Sequence, residues 1–219
     1  MRVLLFDVIE TLFSLQPLRD RIAGEGLDEA YADLFFAQLL RDAFALSATG
    51  VFQPFPAIAA ATLKVTLRSA GAPANAVQIK RILSVFSELP AHPDVATALE
   101  QAHAANARVA LLTNGSADNT RQLVDRAGLD AWVSDIVSIE THSLWKPQPR
   151  LYQAVCEQLN VAGSDATLIA AHGWDVHGAL NAGLNAVWVE RQDHAFHELM
   201  GAPLGQARTL PEAVAMALK

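Results

Sequence analysis

One cysteine, Cys156, stands in a chain of 219 residues, so no internal disulfide can form, and no Cys/His spacing resembles a zinc site. A reducing, cytoplasmic location is the expectation. Basic residues are in the minority: 16 Lys and Arg face 23 Asp and Glu, a formal net charge of −7. No stretch gathers cations into a patch able to neutralise phosphates, so nucleic acid is not expected as a partner. Long apolar runs are missing too. Val3, Leu4, Leu5 and Phe6 give way to Asp7, too short a run for a secretion signal. The Ala-rich stretch from Ala57 to Leu63 stops at Lys64, far short of the ~20 residues that cross a bilayer, so no membrane span is expected. Apolar residues nevertheless make up 52% of the chain, which excludes a disordered or fibrous polymer. On a soft prior of roughly 150 residues per domain, the length suits one large domain or a domain carrying an insertion.

Short β-branched and aliphatic runs recur at Val3–Phe6, Arg108–Leu112, Asp135–Ile139, Thr167–Ala171 and Ala186–Val189. Segments with helical periodicity separate them, a pattern that predicts an α/β fold built on a parallel sheet. Far more chain lies between the first two runs than one crossover needs, and its patterns are helical. Leu27–Leu46, Pro56–Arg68 and Ala74–Leu89 are predicted helices, with Gly50, Gly71 and Pro73 as breaks. An inserted helical cap domain over residues 14–90 is therefore expected, in a core made of 1–13 and 91–219. A later helix near Pro147 places Leu151, Val155 and Leu159 on one face, with Cys156 beside them as a small buried hydrophobe.

In an open parallel sheet, ligands bind outside the carboxyl ends of the strands. The polar residues there are Asp7 with Thr11, Thr113 with Asn114, Lys146, and Asp175. Each has an ordinary reading: a strand-end turn former, a tight turn at Asn114-Gly115, a solvated cation before proline, and a helix N-cap. Together, two carboxylates, a hydroxyl–amide pair and a lysine at four strand ends point to one catalytic cleft.

Four segments carry a resemblance: Phe6-Asp7-Val8-Ile9-Glu10-Thr11-Leu12, Leu112-Thr113-Asn114-Gly115-Ser116, Trp145-Lys146-Pro147 through Tyr152, and Trp174-Asp175. In order and spacing they resemble the motifs of the haloacid dehalogenase superfamily. Within it the chain is most similar to the L-2-haloacid dehalogenases (type II), through Asn114-Gly115-Ser116, Lys146-Pro147 followed by Arg150 and Tyr152, and Trp174-Asp175 before Gly178-Ala179. The resemblance implies a Rossmann-like core, a homodimer, and hydrolytic dehalogenation of a short 2-haloacid without cofactor or metal. It implies that Asp7 displaces the halide and forms an ester that water later cleaves. Lys146 would hold Asp7 ionised, and Thr11, Thr113 and Asn114 would supply hydrogen bonds. Asp175 would position or deprotonate the water. Ile9, Tyr152, Trp174, Phe55 and Phe36 fall at positions that line the substrate, although core packing accounts for Trp174 and Phe55 equally well.

The superfamily also contains phosphatases. These need an acid two residues after the nucleophile, where this chain has Ile9, and a metal-binding aspartate four residues before Asp175, where it has Ala171. A halide leaves as a stable anion and needs neither. Against the dehalogenase pattern, Glu10 replaces a glycine, Ile9 an aromatic, Ala170 a hydroxyl residue and His172 an asparagine. Phe36 falls where that group carries its halide-binding arginine, and Arg41, five residues on, points about 140° away around a helix. His172 has two readings, as a general base beside Asp175 or as a group that hydrogen-bonds the pocket wall.

Overall fold

The structure, a computed structural model, describes residues 2–219. β1 (Val3–Asp7) is buried at every position, as a strand covered on both faces of a parallel sheet must be. Beyond it the Leu12 and Phe13 amides turn back onto the Val8 carbonyl, at 2.9 and 3.0 Å. The chain then enters four helices: α1 (Gln16–Gly24), α2 (Ala30–Ala48), α3 (Phe55–Ser69) and α4 (Ala76–Leu83). Residues Leu15–Leu89 form one compact unit; the segment through Ser14 and Pro90–Lys219 form the other.

In the helical unit α2 packs on α3. Two polar bonds cross that contact, Thr62 Oγ1 to Asp42 Oδ2 at 2.9 Å and Thr66 Oγ1 to Gln38 Oε1 at 2.7 Å. α1 was not anticipated from the pattern. Its buried face consists of Leu18 and Ile22 with Arg19, which is ion-paired to Asp33 at 2.6 Å, and a buried cation erases the apolar period. The helix expected over Ala74–Leu89 is shorter, because α4 ends at Leu83 and tightens to a 3₁₀ turn at Ser84–Ser87. There the Ser84 and Ser87 hydroxyls bond carbonyls three residues back, competing with the helical ladder.

The second unit resumes beside its own beginning: the Ser14 amide donates to Pro90 O at 2.9 Å and His92 N to Leu12 O at 2.8 Å. Then follow α5 (Val95–Ala104), β2 (Arg108–Thr113), α6 (Ala117–Arg126), β3 (Asp135–Ser138), α7 (Ile139–His142), α8 (Pro149–Leu159), β4 (Ala166–Ala170), α9 (Gly173–Asn181), β5 (Asn185–Val189), β6 (Gly205–Ala207) and α10 (Leu210–Ala217). The sheet order is β3-β2-β1-β4-β5-β6, with every pairing parallel. The core is thus α/β and Rossmann-like. β6 was not predicted because Gly205-Gln206-Ala207 has no β-forming side chain; its pairing with β5 makes it a strand. Winding reverses between β1 and β4, and in such sheets the reversal opens a crevice at the strand ends.

Candidate active site

Asp7 is the last residue of β1 and pairs in register with Leu112, one residue before Thr113. On the other side Phe6 pairs with Ile169 of β4, so the chain leaving β4 at Ala171 and His172 emerges beside Asp7. Lys146, fully buried, reaches the same point from the loop between α7 and α8. Its Nζ donates to Asp7 Oδ1 at 2.9 Å and to Asp175 Oδ2 at 2.8 Å. Asp175 lies in the first turn of α9, whose N-cap position is His172.

Asp7 Oδ2 has two further donors. Thr11 Oγ1 donates at 2.7 Å while accepting the Ala171 amide at 2.9 Å, which aims the hydroxyl. His172 Nδ1 lies 3.0 Å from the same oxygen. The other imidazole nitrogen, Nε2, lies 3.0 Å from Glu10 Oε2. Flanked by two carboxylates, both ring nitrogens act as donors, so the ring is an imidazolium. The geometry of the resting site makes His172 a hydrogen-bond donor to both Asp7 and Glu10. Trp174 stacks on it at 4.9 Å and 25°.

Burial opposes every charge in this cluster, and the partners decide the outcome. Against burial, the Lys146 ammonium and the His172 bond hold the Asp7 carboxyl well below its ordinary range. Burial also works against His172, yet its hydrogen bonds to Asp7 and Glu10 raise it to about 10. Asp175 moves the other way: burial and the nearby Asp7 charge raise it, only partly offset by Lys146. Tyr152 O–H donates to Asp175 Oδ1 and Lys146 Nζ to Oδ2, so both Asp175 oxygens accept bonds. Two carboxylates sharing one ammonium are thereby pushed apart, the division of labour expected of a nucleophile and a base.

Tyr152 was expected to line the substrate. Instead it is fully buried with its hydroxyl committed to Asp175, so it orients that carboxylate. Thr113 Oγ1 accepts the Gly115 amide at 2.9 Å rather than bonding Asp7. Asn114 keeps a buried Oδ1 with no hydrogen-bond partner, a polar atom left over for a ligand. Ile9 is half-buried two residues after Asp7. Phe36 and Phe55 are buried in the helical unit, on α2 and at the start of α3, where Phe55 meets Phe86 edge-on at 5.1 Å. Arg41, on α2 with Phe36, is 64% exposed and pairs with Asp42.

Glu10 is the site member that motif reading missed. It has φ 65, a left-handed conformation that costs a side-chain-bearing residue about 1–2 kcal/mol. The Glu10 amide is bonded to Phe13 O at 2.8 Å and its carbonyl lies 3.0 Å from His92 Nε2, which pins the turn. The available signal was a glutamate in a glycine position in the same chain as a histidine in an asparagine position. The Arg191 guanidinium supports the loop as well, reaching the Thr11 carbonyl at 3.3 Å while paired with Asp94.

A divalent metal does not fit this donor set. A hard cation wants several oxygen ligands, but the Lys146 ammonium already bridges Asp7 and Asp175, and Ala171 offers no side-chain oxygen. Among the described residues no three His, Cys, Asp or Glu side chains are grouped to hold a metal.

Known proteins are similar to this chain in sequence and in fold. The chain is 26% identical over 214 residues to (S)-2-haloacid dehalogenase H-109 of Pseudomonas putida, covering 95% of this chain and 94% of that protein. It is 27% identical over 216 residues to the (S)-2-haloacid dehalogenase of Xanthobacter autotrophicus, covering 95% and 85%. The fold superposes on a crystal structure of a dehalogenase with an intermediate complex at a TM-score of 0.91 and 25% identity, covering 100% of this chain and 98% of the other. Residues 1–183 match the model of the haloacid dehalogenase-like hydrolases, a span that takes in β1 with Asp7, the loop that carries Lys146 and the helix that carries Asp175. On that match the chain belongs to the haloacid dehalogenase-like hydrolase family.

Proposed function

We propose that the protein hydrolyses short 2-haloacids to 2-hydroxy acids through an ester on Asp7. The observation that carries this reading is a buried carboxylate held ionised by Lys146, with the apolar Ile9 where a leaving group in need of a proton would require an acid. Asp7 attacks the carbon bearing the halogen, and the halide departs with the bonding electrons. Water then attacks Cγ of the ester with Asp175, the more basic carboxylate, as the base. Similarity to proteins named (S)-2-haloacid dehalogenases along nearly the whole chain supports the same chemistry. The cap role of the helical unit, the participation of Phe36 and Phe55, metal independence and a cytoplasmic location belong to the same proposal. So does a homodimer, supported by the exposed Leu34, Val51, Val65 and Val77 of the helical unit.

The test is halide release from chloro-, bromo- and fluoroacetate and from 2-chloropropionate enantiomers, with p-nitrophenyl phosphate alongside and EDTA in parallel. Halide and 2-hydroxy acid should appear in equal amounts, insensitive to EDTA. In ¹⁸O water a single turnover should leave the first product unlabelled, because its oxygen comes from Asp7. Phosphate release that needs Mg²⁺, with no halide from any substrate, would replace this reading with a phosphatase.

A further inference from the structure

Nothing in the reaction as derived above uses the pairing of Glu10 with His172, yet the chain keeps a left-handed glutamate to make it. Three observations converge there. Glu10 adopts φ 65 with its amide and carbonyl both bonded, and a strained residue held so firmly is a candidate for function. Its carboxylate lies 3.0 Å from His172 Nε2, with side chains only 12% and 11% exposed. The opposite nitrogen points at Asp7 Oδ2, the oxygen that already carries the Thr11 hydroxyl, while Lys146 holds Oδ1.

The two Asp7 oxygens thus stand in different company, and the chemistry treats them differently. We propose that Glu10 is a positioning residue that keeps His172 doubly protonated after Asp7 has been esterified, so that His172 and Thr11 together stabilise the oxyanion that forms on Oδ2 when water attacks. The inference rests on the ester mechanism proposed above.

In the first step Oδ1 attacks carbon and halide leaves with the bonding pair. Asp7 loses its negative charge in that step, so the carboxylate on one side of His172 becomes a neutral carbonyl. Without Glu10 the imidazolium would then face an ester, the Thr11 hydroxyl and Trp174 in a buried site, and would shed its proton. With Glu10 it stays cationic. In the second step the water oxygen bonds Cγ, the C=O pair moves onto Oδ2, and one water proton passes to Asp175. The Oδ2 pair then re-forms the carbonyl, the Cγ–Oδ1 bond breaks, and the departing oxygen takes a proton from Lys146, which lay 2.9 Å away. Asp175 returns its proton to Lys146 across 2.8 Å, and the second water proton, left on Asp7, passes to solvent. Donors on Oδ2 oppose the first step, which drains charge from Asp7, and favour the second, which builds charge there.

The charges around the ring act in the same direction as the geometry. Asp7 from β1 and Glu10 from the following turn face the ring, Trp174 of α9 covers it, and Lys146 sits across Asp7; the balance holds the wild-type ring protonated up to about 10.

The experiment compares wild type with Glu10→Gln and Glu10→Gly, the latter removing the backbone strain so that a folding defect in the first is recognised. Two readouts are taken. The first is the nitrogen chemical shift of the His172 ring against pH, which needs no substrate. It should report an imidazolium through pH 8 in wild type and a titration shifted to lower pH in both variants. The second is rapid-quench kinetics on chloroacetate with intact-protein mass spectrometry. Both variants should release a burst of one halide per site and accumulate the Asp7 ester, with ester hydrolysis slowed about 10²-fold, the usual effect of losing an oxyanion donor. A His172 that titrates alike in all three proteins, or an ester that the variants hydrolyse at the wild-type rate, overturns the proposal. If wild type forms no ester, the dehalogenase reading fails instead; the role for Glu10 at an oxyanion then falls with it, while the ring shifts still report whether Glu10 sets the charge on His172.

Discussion

Lys146 is the residue whose loss the site can least absorb. Its ammonium is completely buried between two carboxylates, and such a charge stays in the interior only because each partner compensates the other's lost hydration. Lys146→Met would leave Asp7 and Asp175 facing each other without the cation, and removing one partner of a buried pair costs about 3–5 kcal/mol. The expected outcome is a large drop in melting temperature together with loss of halide release. A Lys146→Met protein that melts like wild type would mean that the two carboxylates are hydrated, contrary to their burial. Asp7→Asn differs in kind. The amide keeps shape and can accept from Lys146 through its oxygen, but it cannot attack carbon, so turnover should vanish while the circular dichroism spectrum stays native.

Among the elements, α9 has the tightest tolerance. A Cβ added at Gly178 would meet Pro147 Cβ at 2.6 Å, Pro147 O at 2.7 Å and the Tyr152 hydroxyl at 2.8 Å. The helix therefore lies directly against the loop that carries Lys146 and the α8 residue that orients Asp175. Gly178→Ala should push α9 outward, costing about 1–3 kcal/mol through overpacking. Because Asp175 rides on the same helix, kcat should fall further than stability alone explains. Chemical denaturation and steady-state kinetics on one preparation measure both, and unchanged kcat would show that α9 can shift without carrying Asp175 away from Lys146. The elements also show where pattern reading reaches its limit. β1, β2 and β4 are apolar runs whose character is set by neighbours in the chain, so they were legible. α1, with Arg19 on its buried face, and β6, with Gly205 and Gln206, owe their state to distant partners, Asp33 and β5.

For the molecule as a whole, the charge cluster sets the pH range of stability. His172 is raised from 6.5 to about 10 on folding, so its contribution is complete below pH 6.5 and is lost as pH climbs through 10. Asp7 is lowered from 3.8, so its contribution is present above pH 3.8 and lost in acid. Asp175, raised from 3.8, offsets part of that gain once it ionises. Melting temperature at constant ionic strength should therefore decline between pH 6.5 and 10, and His172→Asn should flatten that decline; an equal slope in both proteins would place the alkaline loss elsewhere. Light scattering should give twice the 23.5 kDa chain mass at micromolar concentration, and a monomer would remove the proposed dimer. The parallel-sheet core, the helical insertion and the polar positions Asp7, Thr11, Lys146 and Asp175, which the fold brings together, could be read along the chain, because burial periodicity and strand-end polarity are local properties. Partnership could not. The bond from His172 to Asp7 spans 165 residues and that from Lys146 to Asp7 spans 139, and no spacing reveals which oxygen each donor takes. Tyr152 turned out to bond Asp175, and His172 to lie between the Asp7 and Glu10 carboxylates. Each of these depends on charges brought together through space by folding, where burial and proximity, not sequence order, determine protonation.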